Sequence, residues 1–324
     1  MRTPDEHLEH INIALEQVNL TKKPAKLYDP IRYVLSIGGK RIRPVLCLMA
    51  CELYDDRLEK AVQPALALEI FHNFTLLHDD IMDNAEKRRN MDCVHIKWDE
   101  NVAILSGDAM QILSYHILNQ LPEKHLKECL TLFTQTAIEV CEGQQFDMDF
   151  EKQEHATIEE YLEMIRLKTA VLIATSLKLG AIVGEASKEE ANLLYQFGIE
   201  TGLAFQLKDD LLDVYGDPLT FGKKIGGDIL CNKKTFLLIH ALEKADKSTF
   251  DKLQSWLEKT DFVPEEKIKA VTEIFDKLGI KDICLHEIEK HQKLAFEYLD
   301  QIKVPTIRKE PLSKLANELM DRKK

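Results

Sequence analysis

From Ala65 the chain runs apolar, without Gly or Pro, through Phe71-His72-Asn73-Phe74-Thr75-Leu76-Leu77-His78 and then turns acidic at Asp79-Asp80-Ile81-Met82-Asp83. That pattern predicts the C-terminal half of a buried helix ending in carboxylates. A second stretch repeats it, Phe205-Gln206-Leu207-Lys208 leading into Asp209-Asp210-Leu211-Leu212-Asp213. On a helix, Asp79 and Asp83 stand one turn apart on one face, and Asp80 points away from it. If the two helices face each other in a bundle, four to six carboxylates converge on one cavity.

The remaining pattern is helical throughout. Thr3-Pro4-Asp5-Glu6 reads as a capped start, followed by one apolar face at Leu8, Ile11, Leu15 and Val18. A second helix is predicted over Ala25 to Ser36, stopping at Gly38-Gly39. Lys40, Arg41 and Arg43 follow at once, and Pro44 opens the next helix. Further helices are predicted from Glu123 into Glu142-Gly143-Gln144-Gln145-Phe146-Asp147, and from Tyr161 to Val183. Gln145 and Asp147 read equally as polar groups behind a site or as a helix-end loop. A break at Lys168-Thr169 would expose a backbone carbonyl and a hydroxyl. From Lys234 to Lys324 the chain is amphipathic with Lys/Glu faces, a buttress without catalytic signal.

With only 13 Gly and 10 Pro in 324 residues, long helices are favoured over a turn-rich β fold. No linker divides the chain, so one domain, residues 1–324, is expected. The start lacks a signal-peptide core, and the apolar stretch Ala170 to Val183 is too short to span a bilayer, so a soluble cytoplasmic protein is expected. The seven cysteines are an odd number without Cys-x-x-Cys, which reads as reduced packing thiols rather than zinc ligands or disulfides. A net charge of -12 argues against nonspecific nucleic-acid binding, but leaves room for a diphosphate wherever the cations are concentrated.

The chemistry lies in the acidic runs. Paired carboxylates suit magnesium when a phosphorylated substrate completes its oxygen octahedron. Arg88 and Arg89, just past the first run, match phosphate oxygens with their guanidinium forks. A solvated helix end would explain one such motif; its recurrence, with Lys223 and Lys224 after the second, argues for function. A lone His72 in an apolar helix would by itself be a core residue. No Ser-His-Asp or Cys-His nucleophile accompanies these groups, and the inventory suits ionisation of a diphosphate ester inside a dry helix bundle.

The two acidic motifs resemble those of the trans-isoprenyl diphosphate synthase (polyprenyl synthetase) family. So do Gly38-Gly39-Lys40-Arg41-Ile42-Arg43-Pro44, Lys168-Thr169-Ala170, and Gly226-Gly227-Asp228 with Asn232-Lys233, all in family order. The resemblance implies an all-α bundle of isoprenoid-synthase type with a deep central cavity, a homodimer, and magnesium, up to three ions with diphosphate bound. It implies metal ligation by Asp79, Asp83 and Asp209 with Asp213 nearby, and isopentenyl diphosphate binding by Lys40, Arg43 and His72. Arg88 and Arg89 would divide between the two diphosphates, and Lys168, Lys224 and Lys233 would contact the allylic one. The catalytic groups would be Lys168, Thr169 and Gln206, the last two facing a developing cation. Asn90 to His95 departs from the family's usual loop, and Cys231 stands where some members carry Asp.

The implied reaction is head-to-tail chain elongation. An allylic diphosphate ionises, the isopentenyl double bond attacks, and the released diphosphate takes the final proton. At ~1.5 Å rise per residue, Phe74 lies roughly 7 Å and Phe71 roughly 12 Å beneath Asp79. Two such rings would floor the cavity early, although Phe also fills ordinary cores, and a C15 to C20 product (farnesyl or geranylgeranyl diphosphate) is expected. The alternatives are a longer-chain synthase, a terpene cyclase, a His-Asp phosphohydrolase read into His78-Asp79, or a non-catalytic subunit of a related synthase.

Overall fold

The computed structural model describes residues 1–153, 155–216 and 225–320. Helix α1 (Pro4–Glu16) starts as its sequence dictates: Glu6 N donates to the Thr3 hydroxyl, and the Glu6 carboxylate accepts from Thr3 N. Ile11 and Leu15 of its apolar face are buried. Helix α2 (Ala25–Ser36) has the expected bounds. The chain then takes φ values of 79° at Gly38, 137° at Gly39 and 47° at Arg41 before α3 (Ile42–Glu52), so Pro44 sits in the first turn of α3 instead of opening it.

Helix α4 (Glu59–Met82) carries the first acidic run and is buried on nearly every side. Asn84, at φ 51°, stops it: Asn84 N donates to Ile81 O at 3.2 Å and Ala85 N to Asp80 O at 2.9 Å. This pair of bonds closes the last turn and reverses the chain. A hairpin follows, β1 (Lys87–Arg88) paired antiparallel with β2 (Met91–Asp92). Its two-residue turn, Arg89-Asn90, has φ 52° and 63°, the doubly left-handed form that matches strand twist. Of the segment that departs from the family's pattern, Asn90 to Asp92 belong to this hairpin, and Val94 and His95 begin the next helix.

Then come α5 (Val94–Lys97), α6 (Glu100–Leu118), α7 (Glu123–Lys152) and α8 (Ile158–Ile165). A π-turn over Arg166–Ala170 leads into α9 (Val171–Val183), and α10 (Lys188–Tyr215) carries the second acidic run. The chain continues with α11 (Gly227–Leu230), α12 (Phe236–Lys244), α13 (Lys247–Glu258), α14 (Pro264–Leu278), α15 (Ile280–Asp300) and α16 (Thr306–Met320). The expected all-α class holds: among the described residues the strands are limited to β1 and β2. Among the same residues no helix is long and apolar enough to cross a membrane.

Two compact units can be distinguished. The first comprises Met1–Gln135, Thr175–Tyr195 and Ile302–Leu312, and the second Thr136–Ala174, Gln196–Gln301 and Ser313–Lys324. In the first, α4 packs against α1, α2, α3 and α6. In the second, α12 packs against α8, α14 and α15, and α14 also meets α11 and α13.

Candidate active site

In the first unit the cationic turn after α2 is held from below. Arg41 is buried, its Nη1 donating to Glu69 Oε1 at 2.5 Å and its Nη2 to Leu35 O at 2.5 Å. Glu69 also accepts from Asn73 Nδ2 at 2.6 Å. Of the three cations on this turn, Arg41 is thus structural. Lys40 is exposed beside it, and Arg43 Nη1 lies 3.0 Å from His72 Nε2. Burial lowers the Arg43 pKa to about 10 against the pull of Glu69, leaving the group charged at neutral pH. Burial and then Arg43 push His72 well down, so its neutral ring accepts the guanidinium proton at Nε2.

The hairpin brings its two arginines to different places. Arg88 donates from Nε to Asp80 Oδ1 at 2.8 Å, and its Nη2 lies 2.7 Å from Asp80 and 3.7 Å from Asp79. Asp80 does turn away from the face of Asp79 and Asp83, into the protein, and there it fixes Arg88. Arg89 donates from Nη1 to Gly38 O. Its guanidinium lies against Gly39, where an added Cβ would come within 2.5 Å of it, so the approach requires glycine. Asp79 is half-buried and Asp83, the C-cap of α4, is exposed. His78 faces α6, with Nε2 3.1 Å from Ile104 O.

In the second unit α7 does not end near Gly143. It continues to Lys152, which corrects the helix-end reading of Gln145 and Asp147. Asp147 instead accepts from Lys168 Nζ at 2.6 Å, with Lys233 Nζ 3.8 Å away. Burial raises the Asp147 pKa, but Lys233 and Lys168 outweigh it and hold the carboxyl below its ordinary range. Lys168 and Thr169 lie on the π-turn, the break expected there. Gly143 makes room for it: a Cβ would run into Lys168 N and the Leu167 carbonyl carbon.

Thr169 Oγ1 donates to Gln206 Oε1 at 3.1 Å, Gln206 Nε2 to Asp210 Oδ1 at 3.1 Å, and the Tyr161 hydroxyl to Asp210 Oδ2. Burial and then the charge of Asp228 push Asp210 up to about 7. Asp209 is half-buried. Asp213 accepts Gly226 N at its backbone oxygen (2.6 Å) and Asp228 N at Oδ2 (3.0 Å), tying the Gly226-Gly227 turn to α10. Asn232, at φ 54°, closes α11 as Asn84 closes α4, and so aims Lys233. Asn232 is itself pinned: Lys267 Nζ donates to its Oδ1 at 2.7 Å, and its Nδ2 donates to Leu257 O at 2.9 Å. Lys223 and Lys224 lie outside the described residues.

Arg41–Glu69, Tyr161, Asp147 as a lysine partner and Lys267 are the groups that spacing alone did not bring to the site. Their partners are 28, 49, 21 and 35 residues away in sequence. Lys267 follows the apolar-helix rule badly, a fully buried lysine, and that is a packing fact no local pattern carries. Among the described residues no three His, Cys, Asp or Glu side chains gather tightly enough to hold a metal by themselves. Asp79 and Asp83, one helical turn apart, still fit magnesium, which commonly takes one or two carboxylates and completes its shell with substrate oxygens and water.

The polyprenyl synthetase family model matches residues 24–275. The geranylgeranyl diphosphate synthase of Methanosarcina mazei is 38% identical over 284 residues, 87% of this chain and 86% of that one. The crystal structure of a geranylgeranyl pyrophosphate synthase superposes with a TM-score of 0.93 at 40% identity, each chain covered in full (100%). The Corynebacterium glutamicum geranylgeranyl pyrophosphate synthase, in complex with isoprenyl diphosphate and magnesium, superposes with a TM-score of 0.86 at 27% identity, covering 98% of both chains. The fold is that of an all-α prenyltransferase. Within that class, the chain belongs to the polyprenyl synthetase family.

Proposed function

We propose that this protein condenses isopentenyl diphosphate head-to-tail with an allylic diphosphate and carries the chain to C20, geranylgeranyl diphosphate. The observation that carries this reading is the sorting of cations into two sets. Arg43, paired with the neutral His72, and Arg89 gather about the Gly38-Gly39 turn, while Lys168 and Lys233 gather on Asp147 beside Thr169 and Gln206. The related geranylgeranyl diphosphate synthases favour C20 within the expected C15 to C20 range.

Each residue has a role in this reading. Lys40, Arg43, His72 and Arg89 bind isopentenyl diphosphate, and the neutral His72 ring orients the Arg43 fork. Arg88, steered by Asp80 toward Asp79, binds the allylic diphosphate with Lys168, Lys233 and Lys224. Asp79 and Asp83 from one motif, and Asp209 with Asp213 beside it from the other, serve the same diphosphate as magnesium ligands. Magnesium, when bound, supplies charge neutralisation of the departing diphosphate, and the complex of the corynebacterial relative supports its choice. Lysines at 168 and 233 are released from Asp147 as phosphate oxygens replace its carboxylate. The Gln206 and Thr169 oxygens face the cation left behind, and apolar helices exclude water from it.

Residues 1–324 act as one catalytic unit in this proposal, in the cytoplasm and as a homodimer. An apolar row on α6 supports the dimer: Leu105 is 59% and Ile112 69% exposed, two turns apart on one face. The test is direct. Purified protein with magnesium, labelled isopentenyl diphosphate and C5, C10 or C15 starters should yield C20 prenyl diphosphate, and EDTA should abolish it. A hydrocarbon product formed without isopentenyl diphosphate would instead identify a cyclase.

A further inference from the structure

Tyr161 on α8 is 1% exposed, and none of the roles above uses it. Its hydroxyl donates to Asp210 Oδ2, while Asp210 Oδ1 accepts from Gln206 Nε2 at 3.1 Å. Both Asp210 oxygens accept hydrogen bonds here, one from Tyr161 and one from Gln206, so the carboxyl group dictates which end of the Gln206 amide faces it. The NH2 end must turn to Asp210, leaving Oε1 to accept the Thr169 hydroxyl at 3.1 Å. Thr169 has one proton, and that bond uses it. What Gln206 Oε1 and Thr169 Oγ1 offer beyond the chain is therefore lone pairs, the polarity that suits a cation. A reversed amide would present N–H protons instead.

We propose that Tyr161 is a positioning residue for prenyl transfer. By holding Oδ2, it keeps the Asp210 carboxylate in the rotamer whose Oδ1 orients Gln206 and, through Gln206, Thr169. The inference rests on the assignment of Gln206 and Thr169 to the cation under the proposed function. Tyr161 touches neither substrate in this account and acts entirely through the hydrogen-bond chain, all of whose members belong to the second unit. Ring packing against Phe236, at a 6.3 Å centroid distance, is a separate contribution that phenylalanine retains.

The experiment is a double-mutant cycle between Tyr161→Phe and Gln206→Met, read as kcat and KM for both diphosphates at saturating magnesium. Tyr161→Phe should lower kcat roughly 10–100-fold, the cost typical of a misplaced reacting-site group, with both KM values within about twofold. In the Gln206→Met background the same change should cost less than about twofold, because the group it acts through is gone. If Tyr161→Phe does not fold, 4-aminophenylalanine at 161 keeps the volume and a weaker donor. It should give an intermediate kcat whose deficit again vanishes with Gln206→Met. Unchanged kcat, or equal losses in both backgrounds, would overturn the inference while leaving the synthase reading intact. A fully active Gln206→Met would remove Gln206 from the chemistry and overturn both the assignment and the inference, whereas inactivity of the unmodified protein with every starter would strike at the function itself.

Discussion

Glu69→Ala is the perturbation that most clearly separates the turn's support from its ligand-binding cations. Glu69 and Arg41 side chains are each 4% exposed, and removal of the carboxylate leaves the buried Arg41 guanidinium without its counter-charge and the Asn73 amide with the Glu69 backbone oxygen alone. Breaking one partner of a buried ion pair costs about 3–5 kcal/mol. With an unfolding entropy of about 2.1 cal/mol/K per residue, that lowers Tm by about 4–7 °C for a chain of this length. The Gly38–Arg43 turn then loses its anchor, and the KM for isopentenyl diphosphate should rise at least about tenfold, the equivalent of 1.4 kcal/mol of weakened charge-assisted contact. The allylic KM should move less than about threefold, because Arg88 is fixed by Asp80 instead. Differential scanning fluorimetry and steady-state kinetics read both effects. Arg41→Met with Glu69→Leu should recover most of the lost Tm, since an apolar pair of similar volume replaces the ions at little cost. A Glu69→Ala variant within about 1 °C of the unmodified Tm and with an unchanged KM would refute the reasoning.

Phe74→Ala should shift the longest product beyond C20 by one or more isoprene units, as seen by mass spectrometry of the dephosphorylated alcohols; an unchanged length distribution would return Phe74 to plain core packing. Phe71 is the poorer lever, because it packs in a ring cluster with Phe74 and Phe133 at 5.4 and 5.2 Å, so Phe71→Ala should cost about 3–5 kcal/mol of stability as well. Burial holds His7 and His72 below their ordinary pKa, so as pH falls through about 6.5 the unfolded chain binds the protons first. Stability should therefore be full at pH 7 and above and decline below pH 6.5, by up to about 1.4 kcal/mol per pH unit for each histidine, and His72→Gln should flatten that decline. Identical denaturation midpoints at pH 5 and pH 7 would contradict it. Ile112→Glu should convert the proposed homodimer to monomer by light scattering, and an unchanged mass would remove the α6 row from the interface.

The acidic runs, the Gly-Gly turn and the Lys-Thr break were legible because each is local: a helix period, a left-handed stop, an interruption. Thr3, the bounds of α2 and the π-turn at Arg166–Ala170 follow from the same kind of rule. Partners distant in sequence were not legible. Spacing alone does not say why Arg41, unlike Lys40 and Arg43, is buried against Glu69, and it leaves Asp147 between a polar group behind a site and a helix-end loop until α7 carries it past Lys168. The middle aspartates show the difference well. Their helical phase predicts that Asp80 leaves the metal face, but only packing reveals that Asp80 holds Arg88 while Asp210 holds Gln206 and Tyr161. The hairpin at Arg89-Asn90 was hidden for another reason: its turn lacks the Asn-Gly signature usual for doubly left-handed geometry.

We propose that both acidic motifs serve one diphosphate through magnesium. Calorimetric binding of a non-ionisable allylic thiolodiphosphate, titrated with magnesium, tests it in Asp79→Asn, Asp209→Asn and the double variant. Each single substitution should weaken magnesium-dependent binding by roughly 30-fold or more, about 2 kcal/mol. The double variant should lose little beyond either single one, the non-additivity expected of ligands that share one bound group. Full multiplication of the two losses, or unchanged affinity in either single variant, would contradict the account.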